Sequence, residues 1–287
     1  VQAQTPPNSR PSARGIAASG ARAALVLVAI FGSLGLLGSC AGERPSLGAI
    51  PPSVPSKDAS TTAPTTVTTI PRTPGRLGPQ DLLGWIATPV GDPQVYAAPA
   101  TDAARVEIGP KTEAGAPTTF AIVGDASDPS KLPNPGWYEV ALPTRPNGST
   151  GWVPIDSVTV QKTDLRLFVD LRGRTLRVER NGVGVFTAEI AIGTDENPTP
   201  VNGTYVTELI RNTDPEGSYG PYAYGLALHS DTLSEFAGGD GRVGIHGTNR
   251  PDLIGQAVSH GCVRLRNADV QELLDLQLPL GVPVFIT

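Results

Sequence analysis

Leu165-Arg166-Leu167-Phe168-Val169-Asp170-Leu171, then Leu176-Arg177-Val178, and beyond Asn181-Gly182 the run Phe186-Thr187-Ala188-Glu189-Ile190-Ala191-Ile192, keep apolar residues at every second position. A strand turns successive side chains to opposite faces, so Leu165, Leu167, Val169, Leu176, Val178, Phe186, Ala188, Ile190 and Ile192 share one buried face. Asn-Gly between two such runs is the strongest short-range hairpin signal. Leu226 to His229 and Arg242 to His246 read as further strands, and Val282 to Ile286 as a closing one. One helix is expected, with Asn267 as its N-cap, Asp269 in its first turn, and Val270, Leu273 and Leu274 on its buried side. The expected fold over residues 163–287 is mainly β, a β sandwich with one C-terminal helix.

The rest of the chain divides by composition. With 29 Pro, 33 Gly and 5% aromatic residues, the 287-residue chain suits a turn-rich β protein with unstructured segments. Residues 1–40 have the form of an export signal: a basic start, an uncharged apolar run from Ala23 to Leu37, then Gly38-Ser39-Cys40. Fifteen apolar residues are short of the roughly 20 that span a membrane. Leu37-Gly38-Ser39-Cys40 resembles a lipobox, whose cysteine accepts a diacylglycerol, so a membrane attachment through a lipid anchor at Cys40 is expected. Residues 41–78 are rich in Pro, Thr and Ser and form a linker that cannot bury enough apolar surface to order itself. Across 79–161, turn signals such as Asn134-Pro135-Gly136 and Asn147-Gly148 separate short apolar runs, which argues for a small β barrel. The phrasing Trp137-Tyr138-Glu139-Val140, then Gly151-Trp152-Val153, resembles bacterial SH3-like domains. The formal charge of −5 becomes −8 without residues 1–39, which hold three arginines and no acid. Nucleic acid is therefore not expected as a partner.

The candidate chemistry sits in Ser259-His260-Gly261-Cys262-Val263-Arg264-Leu265-Arg266-Asn267, with Ile245-His246-Gly247 sixteen positions before the cysteine. Cys262 is the single cysteine after position 40. A thiol attacks as its thiolate and needs a base or a field of amide N–H groups beside it. Gly261, with no Cβ, permits a tight turn that aims successive N–H groups at a developing oxyanion.

This block resembles the signature of the L,D-transpeptidase (YkuD-type) catalytic domain. The resemblance extends to Gly193-Thr194, Pro198-Thr199-Pro200-Val201-Asn202-Gly203, Tyr219-Gly220, Gly244 to Asn249, and Leu280 to Val284. It implies acyl transfer with no cofactor. Cys262 would attack a peptidoglycan stem peptide at the bond to D-Ala, and the acyl group would pass to the side-chain amine of another stem's third residue. Carbapenem-type inhibitors would acylate the same sulfur. His246 would be the base, oriented by the Gly247 carbonyl, with the N–H groups of Gly261 and Cys262 as oxyanion donors. His260 is either catalytic or a buttress of the turn. Arg264 either holds a substrate carboxylate or pairs with an acid, and Ser259 either contacts substrate or fixes the loop. Tyr219, Tyr222 and Tyr224 lie in the Gly/Pro-rich segment 211–225, a candidate lid that would exclude water, and Tyr222 and Tyr224 are candidate substrate contacts. The export signal and this resemblance together place the expected protein outside the cytoplasm, on the outer face of the cytoplasmic membrane and within the cell wall.

Alternative readings are an L,D-carboxypeptidase, a transpeptidase that anchors proteins to the wall, and a non-catalytic wall-binding lipoprotein. A zinc site of His246, His260 and Cys262 lacks a convincing fourth ligand, so no metal is expected.

Overall fold

The computed structural model describes residues 75–236 and 238–287. The expected signal segment with Cys40, and the linker up to residue 74, lie outside the described residues.

The first strands are β1 (Trp85–Pro89), β2 (Phe120–Ala121), β3 (Trp137–Ala141), β4 (Thr150–Pro154) and β5 (Val158–Lys162). They make a three-stranded sheet in the order β2-β1-β5 and a β3-β4 hairpin. Ala87, Val95, Phe120, Ile122, Tyr138, Val140, Leu142 and Val153 form a cluster of their own. The tryptophans rim this core and do not fill it. Trp85 donates from Nε1 to Asp125 Oδ1 at 3.1 Å, and Trp137 meets the Tyr96 ring edge-on at 5.3 Å between centroids.

Residues from Leu165 onward supply β6 (Leu165–Asp170), β7 (Thr175–Arg180), β8 (Val183–Glu189), β9 (Ile192–Gly193), β10 (Gly203–Arg211), β11 (Tyr222–His229), β12 (Arg242–His246), β13 (Ala257–Ser259), β14 (Val263–Arg264), helix α1 (Asn267–Asp275) and β15 (Pro283–Ile286). Eight of these strands form one sheet in the order β14-β12-β11-β10-β15-β6-β7-β8. β15 runs parallel to β6 and β14 parallel to β12, while the other neighbours in this sheet are antiparallel. β10 joins the two halves: Gly203 to Tyr205 pair with β15, and Val206 to Arg211 with β11. The halves close on a common core in which Leu167, Val169, Leu176 and Val178 share a cluster with Leu226, Leu228, Val243 and Ile245. Val270 and Leu273 of α1 belong to the same cluster. The expected mainly β class is what the structure shows. The β7–β8 turn has positive φ at both Asn181 and Gly182, the conformation that Asn-Gly favours.

Two local expectations are corrected. α1 begins at Asn267, but the cap is Arg266, with no side-chain cap bond. The Asn267 side chain instead reaches across to the loops, where Oδ1 accepts from the Thr248 N–H at 2.8 Å. β11 starts at Tyr222, four residues before the expected strand, because pairing with β10 and β12 holds a glycine-bearing stretch extended.

Only half of β10–β12 exposes its outer face. Tyr205, Ala227 and Phe285 on that side are buried against Leu82, Ala121 and Ala141 of the smaller unit. Polar clamps reinforce the contact. The Arg145 guanidinium donates to three carbonyls, of Ser230 at 2.6 Å, Leu233 at 2.8 Å and Asp240 at 2.9 Å. Asn147 exchanges bonds with the His229 main chain at 2.7 and 2.9 Å. The smaller unit thus fixes the loop from Ser230 to Gly241, one wall of the open half. Arg145→Ala should cost about 1–2 kcal/mol and raise amide exchange in residues 230–241 without affecting β6 and β7. Arg145→Lys should restore protection only in part, because an ammonium cannot fork to three carbonyls. Unchanged exchange in that loop would refute the clamp.

Candidate active site

Alternation in the open half-sheet puts the chemistry on one side. Tyr224, Leu226, Val243, Ile245 and Val263 point into the core. Their neighbours Ala223, Gly225, Gly244, His246 and Cys262 line a cavity of about 390 Å³ on the other face, with Glu208, Ile210, Asn212, Tyr219, Phe236, Asp240 and Arg242.

Cys262 sits at the end of a turn held by Ser259. The buried Ser259 hydroxyl donates to the Cys262 carbonyl at 2.6 Å and accepts from the Gly261 N–H at 3.1 Å. Ser259 also accepts at its own carbonyl from the Thr194 N–H at 3.0 Å, and Thr199 Oγ1 holds the Gly193 N–H at 2.9 Å. Gly261 has φ +118°, a conformation that side chains rarely adopt. Two expectations change here. Ser259 is committed to the loop and is not presented to a substrate. The Gly261 N–H is occupied by that hydroxyl, so it is not a free oxyanion donor, whereas the Cys262 N–H has no partner among the described residues.

Burial pushes the Cys262 thiol up, opposed by the Gly244 N–H beside the sulfur and the nearby Arg264 charge. His246 is buried and pushed down to about 4 by desolvation, against the bond to Gly247 and with the help of Arg264. Its Nδ1 lies 2.6 Å from the Gly247 carbonyl, which fixes Nδ1 as the protonated nitrogen and leaves Nε2 with a free lone pair. No hydrogen bond joins the thiol to the ring among the described residues, and loss of water on the same wall shifts both groups toward their neutral forms.

Tyr219 is the contact that sequence reasoning placed on the lid but left out of the site. Its ring packs against that of His246, tilted by 51° with 4.7 Å between centroids. Asn212 holds the loop by donating to the carbonyls of Tyr219 and Gly220 at 3.2 and 2.7 Å. Gly220, at φ +61°, lies so close to Gly247 that an added Cβ would fall 2.7 Å from its Cα. Tyr224 borders the cavity but is 1% exposed, its side chain in the core, where burial and the neighbouring Asp275 and Tyr222 push its phenol up to about 12. Tyr222 packs partly against the same core and lines a separate surface depression with Pro221 and Gln271.

His260 is exposed, neither buried as a buttress nor lining the cavity, and its ring lies 4.8 Å from Phe236. Arg264 makes no ion pair among the described residues, and its Nε is buried without a partner. His229 binds Asp240 at 2.9 Å behind the loop wall and does not reach the cavity. Among the described residues no group of three His, Cys, Asp or Glu is placed to hold a metal.

The site is therefore of the cysteine–histidine kind, with a buried imidazole and a lone thiol on the open face of a curled sheet. Residues 164–286 match the family model of the YkuD, L,D-transpeptidase catalytic domain. The YkuD protein of Bacillus licheniformis is 41% identical over 122 residues, 42% of this chain and 65% of the relative. That of Bacillus subtilis is 37% identical over 118 residues, 41% of this chain and 63% of the relative. The chain thus spans just under two thirds of the length of these relatives. Among solved structures, an L,D-transpeptidase from Mycobacterium tuberculosis aligns over 59% of this chain and 90% of its own, with 17% identity and a TM-score of 0.38.

The His246 environment gives a pH signature. The folded chain holds this imidazole near 4 while the unfolded chain titrates near 6.5, so below about 6.5 the unfolded state binds the extra proton. Stability from this residue is complete above pH 6.5 and is lost as pH falls to 4, by on the order of 3 kcal/mol. Urea unfolding at pH 7 and 4.5 should show that loss in the native chain and not in His246→Gln. Equal losses in both would place the titration elsewhere.

Proposed function

We propose that the chain is a peptidoglycan L,D-transpeptidase that works through a thioacyl-enzyme on Cys262. The observation that carries this reading is the pairing, in one cavity within the matched domain, of the lone thiol with a neutral imidazole whose Nε2 is free. Cys262 Sγ attacks the carbonyl of the stem's third residue and gives its proton to His246 Nε2. The Cys262 N–H takes the oxyanion. Collapse of the adduct breaks the bond to D-Ala, whose nitrogen takes the proton from His246, and a thioester remains. The side-chain amine of a second stem then attacks, losing its proton to His246, and the thiol is released. The Tyr219 ring over His246 narrows access for water, which favours capture by the amine over hydrolysis. Arg264, without an acid partner among the described residues, would be the group that holds a substrate carboxylate. The lipid anchor at Cys40 and a site of action outside the cytoplasm belong to the same proposal.

Cys262→Ser and Cys262→Ala should fold normally and form no acyl-enzyme and no cross-linked dimer with a disaccharide-tetrapeptide, read by mass spectrometry. Native-level product from either variant would overturn the mechanism. A carbapenem should give one adduct on the peptide holding Cys262, since the strained lactam carbonyl offers the same attack with its leaving nitrogen still tethered. His246→Ala should slow that acylation by about 10²–10⁴-fold. An unchanged rate would remove His246 as the base.

A further inference from the structure

We infer that Glu208 is a specificity residue, which binds the side-chain ammonium of a diamino acid at the acyl-donor position. This rests on the acyl-transfer reading above. A β-bulge puts the residue there. Val206 pairs with Leu226 and Glu208 with Gly225, so Thr207 is an extra residue in β10. Without it, Glu208 would share the inward face of Val206, two positions before it. With it, the carboxylate turns to the cavity face opposite Gly225, as bulges beside functional sites do.

The surroundings leave the charge unmatched. Glu208 is 5% exposed, and its one side-chain hydrogen bond among the described residues is from the Ala114 N–H to Oε2 at 3.3 Å. Oε1 has no partner among the described residues, and no cation lies within ion-pair distance. Arg242, the lining cation, faces Asp240 at 3.4 Å, and Glu113 adds a second carboxylate to the same cavity. A carboxylate on the cavity wall with an oxygen open to the cavity and no cation beside it presents an acceptor to a positive group from outside.

Its position relative to the sulfur selects which group. Glu208, Gly225 and Gly244 lie on one row across the sheet, and Gly244 carries the N–H beside Cys262 Sγ. The row's two glycines put no side chain between carboxylate and thiol. A Cβ on Gly225 would sit 2.7 Å from Glu208 Oε1, so that glycine is also what admits the carboxylate. One to two strand spacings separate the ends, roughly 5–10 Å. An acceptor amine must come within about 3.5 Å of the thioester carbon, so Glu208 cannot be holding the attacking nitrogen. The donor's own ammonium suits the span: a four-carbon side chain reaches about 6 Å from its Cα at ordinary bond lengths. Held there and kept protonated, that amine is also prevented from closing onto its own thioester.

The test is equilibrium binding of Nα-acetyl-L-lysyl-D-alanine and its norleucine analogue to the full chain carrying Cys262→Ser. The lysine peptide should bind roughly ten-fold or more tightly, the usual scale of a hydrogen bond to a charged group. Adding Glu208→Gln, which keeps the shape and can keep the Ala114 bond, should remove the difference by weakening the lysine peptide alone. Equal binding of the two peptides with Glu208 present would overturn the inference, as would a lysine preference that survives Glu208→Gln. A preference that follows Glu208, in a protein that forms no acyl-enzyme with its cysteine intact, would sink the transpeptidase reading and leave this site standing.

Discussion

Everything at the site depends on the two-sidedness of strands β10, β11, β12 and β14. One face is spent on Leu226, Val243, Ile245 and Val263, which close the sandwich. Whatever alternates with them faces outward, and over this half-sheet those residues are Ala223, Gly225, Gly244, His246 and Cys262. The scaffold and the chemistry are therefore not separable elements. A one-residue slip in β12 would put Gly244 and His246 into the core and Val243 and Ile245 into the cavity.

That constraint explains the role of the smaller unit. An outer face this large, with Tyr205, Ala227 and Phe285 on part of it, would be an exposed apolar surface without a cover. Leu82, Ala121 and Ala141 cover that part, and the Arg145 and Asn147 clamps tie down the loop bordering what is left open. Gly281 belongs to the same contact, since a Cβ there would lie 2.5 Å from Ile86 Cγ2. The smaller unit acts on the cavity by fixing its wall and by bringing Ala114 to Glu208.

The strands were legible wherever alternation was strong, from Leu165 to Glu189 and again at Arg242 to His246, because a buried face writes its period into the sequence; beyond Glu189 the expected alternation fails, with Ala191 buried and Ile192 paired to Ala257 in a separate sheet. Cys262 stood out from its neighbours in the sequence, whereas the pairing of His246 with the Gly247 carbonyl came from the family resemblance, and the structure has that bond. What escaped were effects of pairing and occupancy. Nothing in Ser259-His260-Gly261 shows that the serine hydroxyl would take the Gly261 N–H. Nor does Tyr222-Ala223-Tyr224 show that the strand reaches back this far, which pairing with β10 and β12 sets, and with it that both tyrosines share the core face of Leu226. Glu208 left one signal, an acid in the otherwise apolar run Tyr205 to Ile210, but its meaning depended on a bulge that only cross-strand register displays.

The electrostatics of Cys262 and His246 then follow from placing both on the wall of a half-covered sheet. Desolvation acts on the two groups in opposite directions, raising the thiol and lowering the imidazole, and each shift favours the neutral form. A resting thiolate–imidazolium pair would bring two charges into the same poorly solvated site, with Arg264 close to the cationic member. Neutral partners avoid that cost. In the proposed mechanism, proton transfer would accompany attack, when a substrate carbonyl supplies an oxygen to take the negative charge. With Nδ1 bonded to Gly247 and the Tyr219 ring against it, His246 would take that proton at Nε2 without first changing tautomer. Burial that makes each group a weaker acid or base at rest would then hold back their reactivity until a substrate fills the cavity.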